Sequence, residues 1–177
     1  MREEPETSAV RPERSQGGRP SVARPMLRFA QQGASTGSAR TEGEGDVRFA
    51  GYAAVFGRVD RGGDLVRAGA FGAVRAAGVP LLWQHLPDAV IGTVERLEED
   101  ARGLRVIGRV SARTAAGREA ARALREKAVD GLSFGYRVRE ARGATPRELV
   151  ALELVEVSLV THPMQPLARV HAVESDA

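Results

Sequence analysis

The sequence predicts an α+β fold built mainly of strands. Several stretches alternate apolar and polar residues with a period of two, and a single long segment carries a helical stripe. The strand–helix–strand alternation of a parallel α/β fold is missing. The stretch most telling for function is Asp130 to Val138, where Leu132, Phe134, Tyr136 and Val138 share one face of a strand. Ser133, Gly135 and Arg137 share the other, so a small hydroxyl sits beside a glycine that leaves room for close approach.

Residues 1–46 are rich in Pro, Gly, Ser, Arg and Glu, with few aliphatics and no sustained period. Such a segment buries too little apolar surface to offset its ordering entropy, and a disordered tail is expected. Arg11, Arg14, Arg19, Arg24 and Arg28 against Glu13 make its middle basic, and Met26-Leu27-Arg28-Phe29 is a candidate docking or strand segment. Order is expected over 47–173, with 174–177 a short C-terminal tail. Val47 to Phe56 reads as a strand with Gly51 as a bulge, and Asp60-Arg61-Gly62-Gly63-Asp64 is turn chemistry. Ala68 to Arg75 suggests a short helix. Val79 to His85 is a compact apolar run ending on a histidine, with Trp83 and His85 on one strand face. Ala89 to Leu97 and Leu104 to Val110 flank a polar turn and predict a hairpin.

Ala115 to Val129 is the clear helix. Ala120, Ala121, Leu124 and Ala128 form its stripe, Thr114 is placed to cap it, and Gly131 falls just past its end. Gly143 to Pro146 is a loop. Leu149 to Thr161 is apolar on both faces and predicts a central strand.

Composition narrows the chemistry. The 177 residues contain no cysteine, which excludes disulfides, thiolate catalysis and cysteine-based metal sites and points to a reducing compartment. The chain shows neither a membrane-length apolar run nor a signal peptide pattern, so no membrane association is expected. Net charge is only +3 although the pI is about 10.1, because Lys127 is the sole lysine among many arginines. Those arginines are interleaved with glutamates rather than gathered on one face, so nucleic acid is not an expected partner.

Gly131-Leu132-Ser133-Phe134-Gly135 matches the G-x-S-x-G pattern of a nucleophile elbow, but an elbow runs strand, turn, helix. Here a helix precedes and a strand follows. A serine nucleophile needs a nearby base and usually a group to orient it. The available histidines are His85, His162 and His171, and no metal-ligand spacing occurs among them. Glu156 lies in a strand apolar on both faces, on the side of Leu152, Leu154, Ser158 and Val160. An unpaired carboxylate there would cost several kcal/mol, so an arginine, backbone donors or a histidine must meet it. Glu153 faces the opposite side and is the weaker candidate.

Leu81 to His85, Gly131 to Tyr136 and Leu154 to Pro163, in that order, resemble the caudovirus prohead protease family, the capsid-maturation serine proteases of tailed phages. Gly51 to Phe56, followed by Asp64 and Gly69-Ala70-Phe71, is similar to that family's opening signature, and the likeness covers about residues 48 to 173. The resemblance implies a small mixed β-barrel surrounded by helices, similar to herpesvirus assembly proteases. It implies Ser133 as nucleophile, His85 as general base and Glu156 as the orienting acid. Two positions depart from the family: Leu86 replaces a residue that is often acidic or an amide, and His162 stands where an aromatic or small residue is usual. Because the herpesvirus enzymes use a second histidine, His162 is the alternative third member.

The implied activity is endoproteolysis of the capsid protein's amino-terminal region, the scaffold and the enzyme's own tail. It would take place inside an immature procapsid in the bacterial cytoplasm, in a phage, prophage or gene transfer particle. No cofactor or metal is implied, and a homo-oligomer is open. A different class of reading keeps the fold as a non-enzymatic capsid assembly or scaffold factor. Arginine-driven nucleic-acid binding is a third, without the aromatic interleaving of a single-strand platform.

Overall fold

The computed structural model describes residues 45–175. The expected tail over 1–46, and the docking segment within it, lie almost wholly outside the described residues. The chain runs β1 (Val47–Val55), β2 (Asp64–Val66), β3 (Pro80–Trp83), β4 (Leu86–Glu99), β5 (Gly103–Val110), α1 (Ala115–Arg125), β6 (Gly131–Arg142), β7 (Arg147–Val160) and β8 (Val170–Ser175).

All eight strands join one mixed sheet in the order β2-β7-β3-β4-β5-β1-β8, with β6 paired to β7. The β2–β7 and β3–β7 pairs are parallel and the rest antiparallel. The sheet curls into a half-barrel. The segment before β8 ties its two ends together: the Leu132 N–H donates to Ala168 O at 3.0 Å and the Tyr52 N–H to Arg169 O at 3.0 Å. Gly51 is needed at this seam, because a Cβ there would lie 2.3 Å from Arg169 O and 2.7 Å from Leu132 Cδ1. The expected bulge at Gly51 lies instead at Ala53, the extra residue of β1 against β5, while opposite Gly51 the extra residue is His171 of β8.

Phe49, Leu81, Ile91, Leu104, Leu132 and Leu159 fill the interior, each less than 2% exposed. Helix α1 adds Ala120, Ala121 and Leu124 to that core. Thr114 caps it as expected, its hydroxyl accepting from Gly117 N at 3.0 Å. The helix is shorter than the sequence predicts, and Gly131 does not end it. Lys127 takes the left-handed conformation (φ 55°), and the Lys127 and Ala128 N–H groups donate back to Leu124 O and Ala123 O. Those two bonds stop the helix early and offset the strain of a non-glycine residue at that position.

The expected helix over Ala68–Arg75 does not form. Gly69 and Gly72 have positive φ, and the Glu99 carboxylate accepts from the N–H groups of Gly69 (2.9 Å) and Phe71 (2.7 Å). Side-chain capping of a turn has replaced the helical ladder. Among the described residues the half-barrel therefore carries one helix, where several were expected. The β4–β5 hairpin forms, and β7 is central as expected, flanked by β6 on one side and by β2 and β3 on the other.

Candidate active site

β7 organises the site. Glu156 and Ser158 are two residues apart and share one face of the strand. Across the antiparallel ladder Gly135 stands opposite Glu156 and Ser133 opposite Ser158. Directly opposed residues lie about 5 Å apart with their side chains on the same face. Gly135 is what admits the carboxylate: a Cβ at that position would sit 2.7 Å from Glu156 Oε1 and 2.9 Å from its Cγ. The glycine beside the hydroxyl thus accommodates an internal side chain.

His85 reaches this face from the other side of β7. It is not on a strand, as the sequence predicts, but in the two-residue turn Gln84-His85 between β3 and β4, where Trp83 pairs with Leu86. Both turn residues have positive φ, 51° and 60°, the type I′ geometry that suits strand twist but strains non-glycine residues by about 1 kcal/mol or more. The turn is pinned to β7: the Gln84 N–H donates to Leu159 O at 2.9 Å and the His85 N–H to Ser158 Oγ at 3.3 Å. Gln84 Oε1 in turn accepts from Thr161 N at 3.2 Å.

The imidazole Nδ1 of His85 lies 2.7 Å from Glu156 Oε1. A carboxylate only accepts, so Nδ1 carries the hydrogen and the neutral ring presents its lone pair at Nε2. Ser158 Oγ donates to the second oxygen, Oε2, at 2.5 Å. Glu156 is 7% exposed, Ser133 6% and Ser158 0%, while the His85 side chain is 45% exposed. A buried carboxylate therefore holds a ring that solvent can reach. The partner demanded for Glu156 is a histidine, supplemented by a serine hydroxyl. Chemically, such a pair can accept a proton at Nε2 and stabilise the resulting imidazolium.

The other candidates are placed differently. His162 lies just past β7, exposed, with Nδ1 3.0 Å from Thr161 Oγ1. His171 packs edge-on to the Tyr52 ring, 5.8 Å between centroids. Glu153 pairs with Arg137 and Arg139 on the exposed side. Leu86, next to His85, is 54% exposed.

Ser133 also lines a cleft of about 80 Å³ with Phe134, Tyr136, Asp64, Met164 and Gln165. Buried Asp64 accepts two bonds from Arg147, at 2.7 and 2.5 Å, and a third from the Tyr136 hydroxyl at 2.8 Å. The Arg147 guanidinium holds the Asp64 carboxyl below its ordinary range, with the Tyr136 bond assisting and burial opposing. Burial foremost, then the bond to Asp64, pushes the Tyr136 phenol up to about 12. Sequence reading missed this trio and Ser158. Asp64 and Tyr136 stood inside family-like motifs without a role, and Ser158 was legible only as sharing the face of Glu156.

A family model described as caudovirus prohead serine protease matches residues 35–177. The prohead protease of Enterobacteria phage HK97 is 28% identical over 137 residues, covering 72% of this chain and 60% of that protein. The chain thus spans about 60% of the length of that curated relative. In fold it is similar to a KSHV protease solved with a hexapeptide phosphonate inhibitor, at a TM-score of 0.50 and 14% identity, over 74% of this chain and 66% of that one. The varicella-zoster virus protease aligns at a TM-score of 0.46 and 17% identity, over 73% and 64% of the two chains. With the family model spanning the whole half-barrel, the chain belongs to the caudovirus prohead serine protease family.

Proposed function

We propose that the chain is a serine endopeptidase of capsid maturation, with Ser133 as nucleophile, His85 as general base and Glu156 as the group that orients and charges-balances the imidazole. The observation that carries this reading is the 2.7 Å contact from His85 Nδ1 to Glu156 Oε1, made on the sheet face where Ser133 stands opposite Ser158. Glu156 is preferred to His162 as third member because the carboxylate contacts the His85 ring while the His162 ring bonds its own neighbour.

In the reaction, Ser133 Oγ attacks the peptide carbonyl carbon as its proton passes to His85 Nε2. Glu156 lowers the energy of the imidazolium so formed. The tetrahedral adduct collapses as His85 returns that proton to the departing amine, leaving an acyl ester on Ser133. Water, deprotonated by the same nitrogen, then hydrolyses the ester and restores the enzyme. The substrates we assign are the amino-terminal region of the capsid protein, the internal scaffold and the enzyme's own residues 1–46, cut within an immature procapsid. A polar segment low in aliphatic residues fits a protease cleft readily.

Co-expression with the neighbouring major capsid gene, read by mass spectrometry of the products, tests this. The wild type is expected to shorten the capsid precursor and Ser133→Ala to leave it intact while remaining folded. Normal processing by Ser133→Ala would remove the nucleophile assignment, and no processing by the wild type would favour the assembly-factor reading.

A further inference from the structure

We infer that Ser158 is a positioning residue, the clamp that holds carboxylate and imidazole in the one relative orientation that leaves Nε2 available; this rests on the reading of Ser133, His85 and Glu156 as a hydrolytic unit. Its hydroxyl is fully buried and makes two bonds of different kinds. It donates its only hydrogen to Glu156 Oε2 at 2.5 Å, and it accepts the His85 main-chain N–H at 3.3 Å. One atom therefore ties the orienting acid to the backbone of the base.

Each bond answers a specific freedom. The terminal torsion of a glutamate is broad, so a carboxylate held through Oε1 alone can swing out of the imidazole plane. The bond to Oε2 removes that swing. His85 is held in the left-handed region at φ 60°, a conformation a non-glycine residue leaves readily unless its surroundings over-determine it. The bond to its N–H is one of the contacts that do so. Ser158 also stands directly opposite Ser133, so any shift of the clamp is felt at the nucleophile's own ladder position. An alanine at 158 would remove both bonds and leave the strand pairing untouched. A hydroxyl kept only to satisfy buried polar groups would affect stability and nothing else.

The test compares wild type with Ser158→Ala in the full-length chain. Nitrogen NMR of histidine-labelled protein, with the His85 signal assigned by His85→Gln, reads the ring tautomer and needs no turnover. Steady-state cleavage of a peptide spanning a mapped capsid site reads kcat and KM. The wild type is expected to show a single Nδ1–H tautomer. Ser158→Ala is expected to show a mixture of tautomers, with kcat lower by about 10- to 100-fold and KM within about twofold. An unchanged tautomer or an unchanged kcat in folded Ser158→Ala would overturn the inference. Should alanine not fold there, Ser158→Cys keeps the volume with a much weaker donor and is read the same way. Activity retained by Ser133→Ala would sink the hydrolytic reading instead, and the tautomer measurement separates that failure from this one.

Discussion

Gly135 decides whether Glu156 can be where it is. An alanine side chain would come within 2.7 Å of Oε1, and the group that must yield is the end of a flexible glutamate rather than backbone. Displacing it loosens the buried carboxylate's bonds to His85 and Ser158 and costs about 1–3 kcal/mol, and moving the proposed orienting group by about 1 Å costs roughly 100-fold in rate. Gly135→Ala is therefore expected to fold with a modestly lowered melting temperature and to lose about 100-fold in kcat, more than the stability loss accounts for, as measured by melting curves and peptide cleavage side by side. The identity of the third member is tested by Glu156→Gln against His162→Ala. Glu156→Gln removes the charge while keeping the shape, and a loss of about 10³-fold is expected. His162→Ala, with its ring bonded only to Thr161 among the contacts described, is expected to stay within about threefold. A larger loss in the histidine variant at equal stability would reverse the ranking. Of the three proposed members, only Glu156 stood out by its own chemistry, as a carboxylate in a strand apolar on both faces; Ser133 and His85 were singled out by the resemblance of their motifs. Ser158 was not, because a serine two residues from a glutamate is unremarkable until the fold turns the β3–β4 corner onto it.

At the scale of elements, a polar joint fastens β2 to the β6–β7 pair. Asp64 on β2, Tyr136 on β6 and Arg147 at the start of β7 meet through three hydrogen bonds and tie a short parallel strand to the central antiparallel pair. Beyond Gly135 the β6–β7 register slips, Tyr136 pairing with Leu154 and leaving Val155 as the extra residue. The joint thus anchors β6 just past the bulge at Val155, next to Glu156. Because its folded pKa is lowered, Asp64 contributes stability that is present above the unfolded value of about 3.9 and is lost as pH falls through the folded value. Asp64→Asn is expected to cost about 2 kcal/mol at pH 7, a figure reduced for the half-exposed Arg147, and less at pH 3, below the unfolded value. Urea unfolding at the two pH values checks it, and an equal loss at both would contradict it. Tyr136 has the opposite sign: its folded pKa is raised, so its contribution is present below about 10 and lost as pH rises toward 12. In an alkaline absorbance titration, Tyr136→Phe should remove the later of two phenolate transitions. Sequence periodicity found β6 and β7, but it read Asp60–Asp64 as a turn, so β2 was missed, and it assigned helix to Ala68–Arg75. The competing interaction, Glu99 capping that turn from a distant strand, has no local signature.

Across the whole molecule, the architecture follows from β7, which among the described residues is the strand paired to three others. β7 pairs with β2, β3 and β6, so it can bring together residues from segments about 70 and 25 positions away in sequence: the turn after β3 and the start of β6. Its apolar character on both faces made that centrality readable from sequence. The left-handed turn at His85 was not readable, since Gln-His carries none of the glycine or asparagine that usually announces a type I′ corner. Closure of the sheet at Gly51 and Arg169 was likewise invisible, because it joins main-chain groups. In the proposed mechanism a hydroxyl on β6 is activated by an imidazole held from β7. Peptide mass spectrometry after treatment with a serine-reactive fluorophosphonate measures this most directly, without knowledge of the substrate. Wild type is expected to carry one adduct, on Ser133, and folded His85→Ala to carry none. A wild type that stays unlabelled at Ser133, or a His85→Ala variant labelled there at the wild-type rate, would contradict it.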